Sequence, residues 1–168
     1  MERLWTPWRR AFVEGAATNT ASACFLCTAP AANQDAETFL LYRAERTFVI
    51  LNLYPYNNGH LMVVPKRHVA SLASSTPDEL TDLMRLTRHA EIALAEAYTP
   101  QGINVGINLG RPAGAGIVDH LHVHLVPRWT GDTSFMSVVG NTRVLPEQLP
   151  QTAARLRPIF ERLSADNV

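Results

Sequence analysis

Cysteine is almost missing from this chain of 168 residues, which has two, Cys24 and Cys27. That scarcity excludes the disulfide framework that staples small secreted domains. Net charge is missing as well, because 15 Lys and Arg balance 15 Asp and Glu. Bulk electrostatic attraction to nucleic acid or to a membrane surface is therefore not expected, and any anionic ligand must be held by local groups. No apolar run approaches the ~20 residues of a membrane span. The opening Met1-Glu2-Arg3-Leu4-Trp5-Thr6-Pro7-Trp8 lacks the apolar core of a signal peptide, so the expected location is the cytoplasm. Repeats, low-complexity stretches and interdomain linkers are absent too. The expectation is one domain over residues 1–168, long enough to bury its own core.

The two cysteines form a C-x-x-C. A thioredoxin-like redox role would set the pair beside a βαβ pattern, whereas Thr28 to Ala36 is small and polar and reads as loop. Half of a metal site fits better, with two further ligands to come from elsewhere because two do not hold zinc.

Residues 1–36 read as irregular, with Trp5 and Trp8 as anchors and Ala29 to Asn33 as a turn-rich link. Leu40 to Arg43 and Thr47 to Leu53 read as strands, the second nearly all apolar. Tyr54-Pro55-Tyr56-Asn57-Asn58-Gly59 is a turn cluster before a strand over His60 to Val64, which Pro65 stops. Thr76-Pro77-Asp78-Glu79 supplies an N-cap, a first-turn proline and acids for a helix running to about Ala97. A strand over 102–109, a Gly/Ala-rich loop over 110–118, a strand over 119–127 and a helix over 146–163 complete the chain. Hairpin-linked strands with an inserted helix imply an antiparallel sheet with helices on one side, an α+β fold.

The richest segment is Asp119-His120-Leu121-His122-Val123-His124-Leu125-Val126-Pro127-Arg128. In a strand, alternate positions share a face, so this spacing predicts three imidazoles on one side and aliphatics on the other. Crowding groups that titrate near neutrality has no packing rationale and points to metal binding or phosphate-directed nucleophilic chemistry. Three imidazoles on one ion would suit a metal-storing protein, but same-face strand positions lie roughly 6.5–7 Å apart. That is wider than ligands ~2 Å from a common ion easily allow.

His120-x-His122-x-His124 followed by Leu125-Val126-Pro127-Arg128 resembles the motif of the histidine-triad (HIT) nucleotide hydrolases and transferases. Asn52 to His60, Pro65-Lys66-Arg67-His68 and Asn108-x-Gly110 ahead of a glycine loop occur in that family's order, so the resemblance covers about residues 24–130. Leu4 to Arg10 and Trp129-x-Gly131-Asp132-Thr133-x-Phe135-Met136 resemble a bacterial, fragile-histidine-triad-like branch associated with diadenosine polyphosphate cleavage. The resemblance implies a HIT-like antiparallel sheet with one long helix and a C-terminal helix, paired as a homodimer through the helix and the strand around Ile103 to Ile107.

It implies roles as well. His122 attacks the α-phosphorus of a dinucleotide, most plausibly diadenosine tetraphosphate, and forms a nucleotidyl-histidine. His124 contacts phosphate oxygens, Asn108 binds the phosphate or bridging oxygen, and Asn52 holds the ribose hydroxyls. Gly116 stands where the family commonly places Gln or Ser to bind the leaving group. Its missing side chain leaves room for a second phosphate-containing acceptor, so inorganic phosphate joins water as a candidate to resolve the intermediate. Trp129 is available to pack near the phosphate chain. His68 and His120 would complete Cys24 and Cys27 as a closed, structural Zn2+ site, and the chemistry requires no catalytic metal. His60 and His89 read as structural. The rival functions are a nucleoside phosphoramidase of the same superfamily, or a metal-binding or nucleotide-sensing protein without turnover.

Overall fold

A computed structural model describes residues 24–132 and 147–165. Trp5, Trp8 and residues 133–146, and with them the expectations placed there, lie outside the described residues. Runs of β-branched and large apolar residues make the central strands, and the sheet they form is antiparallel throughout. Strands β1 (Leu40–Arg43), β2 (Thr47–Leu51), β3 (Leu61–Pro65), β4 (Gly102–Ile107) and β5 (Val123–Arg128) lie in the order β1-β2-β3-β5-β4. Strand β2 is buried at every position, as its nearly all-apolar sequence requires.

The two faces of the sheet are covered differently. Residues Val49, Leu51, Leu61, Val63, Val123 and Leu125 pack on one face with the long helix Pro77–Tyr98 and the C-terminal helix Leu149–Ala165. The long helix starts where its sequence directs. Thr76 accepts from the Glu79 backbone while the Glu79 carboxylate accepts from the Thr76 N–H, with Pro77 in the first turn. The opposite face carries a smaller cluster of Leu40, Phe48, Ile50, Met62 and Val64 under Cys24, Leu26 and Ala29.

That second cluster corrects the reading of residues 24–36. Phe25–Ala31 forms a helix, α1, and Asp35–Thr38 forms one turn, α2; the long and C-terminal helices are α3 and α4. Leu26 and Ala29 are buried three residues apart, and docking this stripe outweighs the propensity cost of Pro30 inside the helix. Other strand limits shift by one or two residues, except that the strand expected from residue 119 begins only at Val123. The turn over 54–59 stands as expected: Gly59 has φ +75°, and a Cβ there would lie 3.0 Å from the Tyr98 ring and 3.2 Å from Pro127.

Candidate active site and metal centre

The histidine segment departs from a simple strand. Strand β5 begins at Val123, so His124 alone of the three lies within it. Before it, the Leu121 N–H donates to the Val69 carbonyl at 2.6 Å, which draws the chain toward the end of β3. His120 therefore leaves the common face. Its Nε2–H donates to the Pro65 carbonyl at 2.8 Å, and its Nδ1 turns to the sulfurs of Cys24 and Cys27, 3.4 Å from each.

His68 Nδ1 lies 3.2 Å from Cys27 Sγ, and the four ligand atoms fall within 4.8 Å of one another. Around a tetrahedral zinc with Zn–S ≈ 2.3 Å and Zn–N ≈ 2.0–2.1 Å, neighbouring S and N atoms stand about 3.5 Å apart. The donor set fits that ion. Each imidazole offers Nδ1, and for His120 the other nitrogen is fixed by a carbonyl, the usual outer partner of a metal-bound histidine. Burial, the neighbouring Cys24 charge and a hydrogen bond that the Cys27 thiol donates to Cys24 push the Cys27 thiol up to about 11, an arrangement that a divalent cation reverses by taking both sulfurs as thiolates. Burial also holds His120 down to about 4, against the pull of the Pro65 carbonyl, so its Nδ1 lone pair is available at neutral pH.

His122 is buried, and its Nδ1 lies 2.8 Å from the His120 carbonyl. A carbonyl only accepts, so the proton sits on Nδ1 and the lone pair on Nε2. Burial lowers its pKa from the ordinary value, which favours this neutral form. The His124 ring stands 4.7 Å away at 79°.

His60, read from sequence as structural, belongs to this cluster. The residue is 1% exposed. The Tyr56 backbone N–H donates to its Nδ1 at 3.0 Å, which places the ring proton on Nε2. That Nε2–H is 3.0 Å from His124 Nδ1 and donates to it, leaving the proton of a neutral His124 on its own Nε2. The contact from Asn52 Nδ2 to the same His60 nitrogen is longer, 3.4 Å, and it yields to the shorter bond. Tyr56 covers His60 with its ring centroid 4.7 Å distant. The signal for His60 is its position two residues before Met62, which pairs with His124, a register that the sequence does not display.

The other expected residues are distributed around this core. Asn52 accepts from the Tyr54 N–H at 2.9 Å and stands beside His60, on the β2–β3 side of His124. Asn108 directly follows Ile107, which pairs with Val123, so it flanks His122 from the β4 side. It donates to the Gly114 carbonyl at 3.4 Å. Gly110 and Gly114 hold the loop with φ of +82° and +94°, and Gly116 lies in the bend that follows. An open cleft of about 410 Å³ is lined by Tyr56, Asn104, Val105, Gly106, Asn108, His124, Val126 and Arg128; Asn52 and Gly116 are not in its wall. Trp129 packs edge-on against Tyr98, 6.5 Å between centroids. His89 is buried in α3, away from this cluster.

The family model described as HIT domain matches residues 33–131. AP-4-A phosphorylase of Mycobacterium tuberculosis is 40% identical over 167 residues, covering 96% of this chain and 86% of that protein. Bis(5'-nucleosyl)-tetraphosphatase [asymmetrical] of Schizosaccharomyces pombe is 32% identical over 133 residues, 69% of this chain and 72% of the relative. Among solved structures, a Zn-bound histidine triad family protein from Mycobacterium smegmatis superposes with TM-score 0.70 at 28% identity, over 88% of this chain and 99% of the other.

Proposed function

The chain belongs to the HIT domain family, and from that premise we propose that it is an enzyme cleaving dinucleoside polyphosphates, diadenosine tetraphosphate first among them, through His122. The observation that carries the reading is the bond from His122 Nδ1 to the His120 carbonyl, which leaves the lone pair of a neutral imidazole on Nε2, the nitrogen a nucleophilic role requires. Nε2 forms a bond to the α-phosphorus while the bond from that phosphorus to the bridging oxygen breaks. The electron pair leaves with that oxygen as a nucleoside polyphosphate, and the nucleotidyl group remains on His122. An incoming oxygen then displaces Nε2 and restores the imidazole.

His124, with its proton on Nε2, donates a hydrogen bond to phosphate oxygens as charge develops on them. His60 acts through His124 by fixing that tautomer. Asn52 holds the ribose, and Asn108 holds the phosphate from the β4 side. Gly116 adds no side chain at the acceptor's approach. That room, together with a relative named a phosphorylase at 40% identity, favours orthophosphate as the second acceptor. Cys24, Cys27, His68 and His120 hold a zinc ion whose contribution is structural: it ties α1 to the end of β3 and to the triad.

The test is product analysis. Diadenosine tetraphosphate should give ADP plus ATP when orthophosphate is present, and AMP plus ATP if water takes its place. Two ADP would refute attack at the α-phosphorus, and no cleavage under either condition would refute the reading as a whole.

A further inference from the structure

One row of cross-strand partners crosses the whole sheet: Leu40, Ile50, Met62, His124 and Gly106. Over β1 to β3 this row lies under α1, in the cluster with Leu26 and Ala29. Past Met62 the covering stops. Among the described residues, a Cβ at Gly106 would meet nothing within 4 Å and His124 is only half-buried, and the 410 Å³ cleft lies against both. The cleft thus starts at the triad and runs along the bare part of the face.

Its floor is a ladder. Gly106 pairs with His124, Asn104 with Val126, and Gly102 with Arg128, so these six residues share the open face. From His124 to Arg128 the floor extends roughly 13 Å. Neither glycine is required by its surroundings: a Cβ at Gly102 or Gly106 would meet nothing within 4 Å, and neither has a positive φ. Glycine inside a strand weakens it and often marks a place where a ligand comes close to the backbone. At the far end Arg128 donates to Asp132 at 2.6 and 2.9 Å and to Asn104 at 2.8 Å. These bonds fix the guanidinium at the cleft and engage three of its five N–H donors.

The direction of the cleft supplies its role. Asn52 lies on the β2–β3 side of His124, whereas the cleft lies on the β4 side. The attacking nitrogen and leaving oxygen stand on opposite sides of the phosphorus in an in-line displacement, so the two halves of a dinucleotide must leave the scissile phosphorus in different directions. We propose that the β4–β5 cleft is the subsite for the leaving nucleotide, its polyphosphate passing over Gly106 beside His124 and its distal part meeting Asn104 and Arg128. This rests on the reading of the chain as a dinucleoside polyphosphate enzyme and adds where the second nucleotide lies.

The test is binding to the full chain carrying His122→Ala, which prevents turnover, measured by calorimetry with AMP and with diadenosine tetraphosphate. AMP fills the Asn52 side alone; the dinucleotide fills both. The dinucleotide should bind at least tenfold tighter than AMP. Adding Asn104→Leu or Gly106→Val, each of which puts bulk on the cleft floor, should shrink that advantage at least fivefold. Thermal melting checks the fold, and if Gly106→Val does not fold, Asn104→Leu alone decides. Equal affinity for the two ligands, or an advantage unchanged in a folded variant, would overturn the subsite. Failure of the enzymatic reading is seen separately, as absence of diadenosine tetraphosphate turnover by the unaltered protein.

Discussion

At the scale of single residues, His122 and His60 make different demands. His122→Ala removes the atom proposed to form the covalent bond, so activity should drop below about 1% of the original while the melting temperature holds. A folded variant retaining several per cent would show that another group attacks phosphorus. His60→Phe keeps the ring volume and removes the N–H that reaches His124; kcat should fall roughly tenfold or more, with partial recovery in His60→Gln, whose amide can donate in its place. Imidazole ¹⁵N spectra supply a readout that a purely structural role would not move, because His124 should lose its single Nε2–H tautomer in His60→Phe. The closeness of His122 and His124 was legible in the sequence because alternate positions share a face. His60 was not, since its partner lies 64 residues away and the pairing of β3 with β5 is a tertiary fact. Nor did alternation foretell that His120 would turn aside. That follows from the Leu121 bond to Val69 and from the pull of two sulfurs.

At the scale of elements, the sequence was most informative where local chemistry decides and least where packing does. The start of α3 was readable to the residue, because Thr76, Pro77 and Glu79 satisfy its orphan N–H groups by themselves. Helix α1 was unreadable, because a short proline-containing segment is held by Leu26 and Ala29 against a sheet formed later in the chain. The same N-cap gives α3 a pH dependence. The Arg67 guanidinium at 2.7 and 2.8 Å, helped by the Thr76 N–H, pulls the Glu79 carboxyl from 4.5 to about 2. A folded-state pKa below the unfolded one means that the contribution is complete above about pH 4.5 and is lost as the pH falls toward about 2. Acid melting curves should therefore fall less steeply across that window in Glu79→Gln, which starts from a lower stability at pH 7. An equally steep fall would remove this ion pair from the acid response.

At the scale of the whole molecule, metal and assembly are the properties to measure. Cys24→Ser should lower the melting temperature by roughly 10 °C or more and change turnover at 25 °C much less, and elemental analysis should find close to one zinc per chain. If chelation halts cleavage at once in a protein that stays folded, the ion belongs to the chemistry and the structural assignment fails. Strand β4 is the last of the sheet among the described residues, with Val105 half-exposed, and an unpaired edge of this kind invites a second copy. Light scattering at micromolar concentration should report a homodimer, and a monomer would refute it. His120 faces two ways, its ring toward the sulfurs and its carbonyl toward the His122 ring. Two binding events that share one residue obey reciprocity. Whatever factor zinc adds to the affinity for nucleotide, nucleotide must return to the affinity for zinc, so a chelator should strip the ion less readily from protein saturated with nucleotide, and starvation for either ligand would be felt at the other's site.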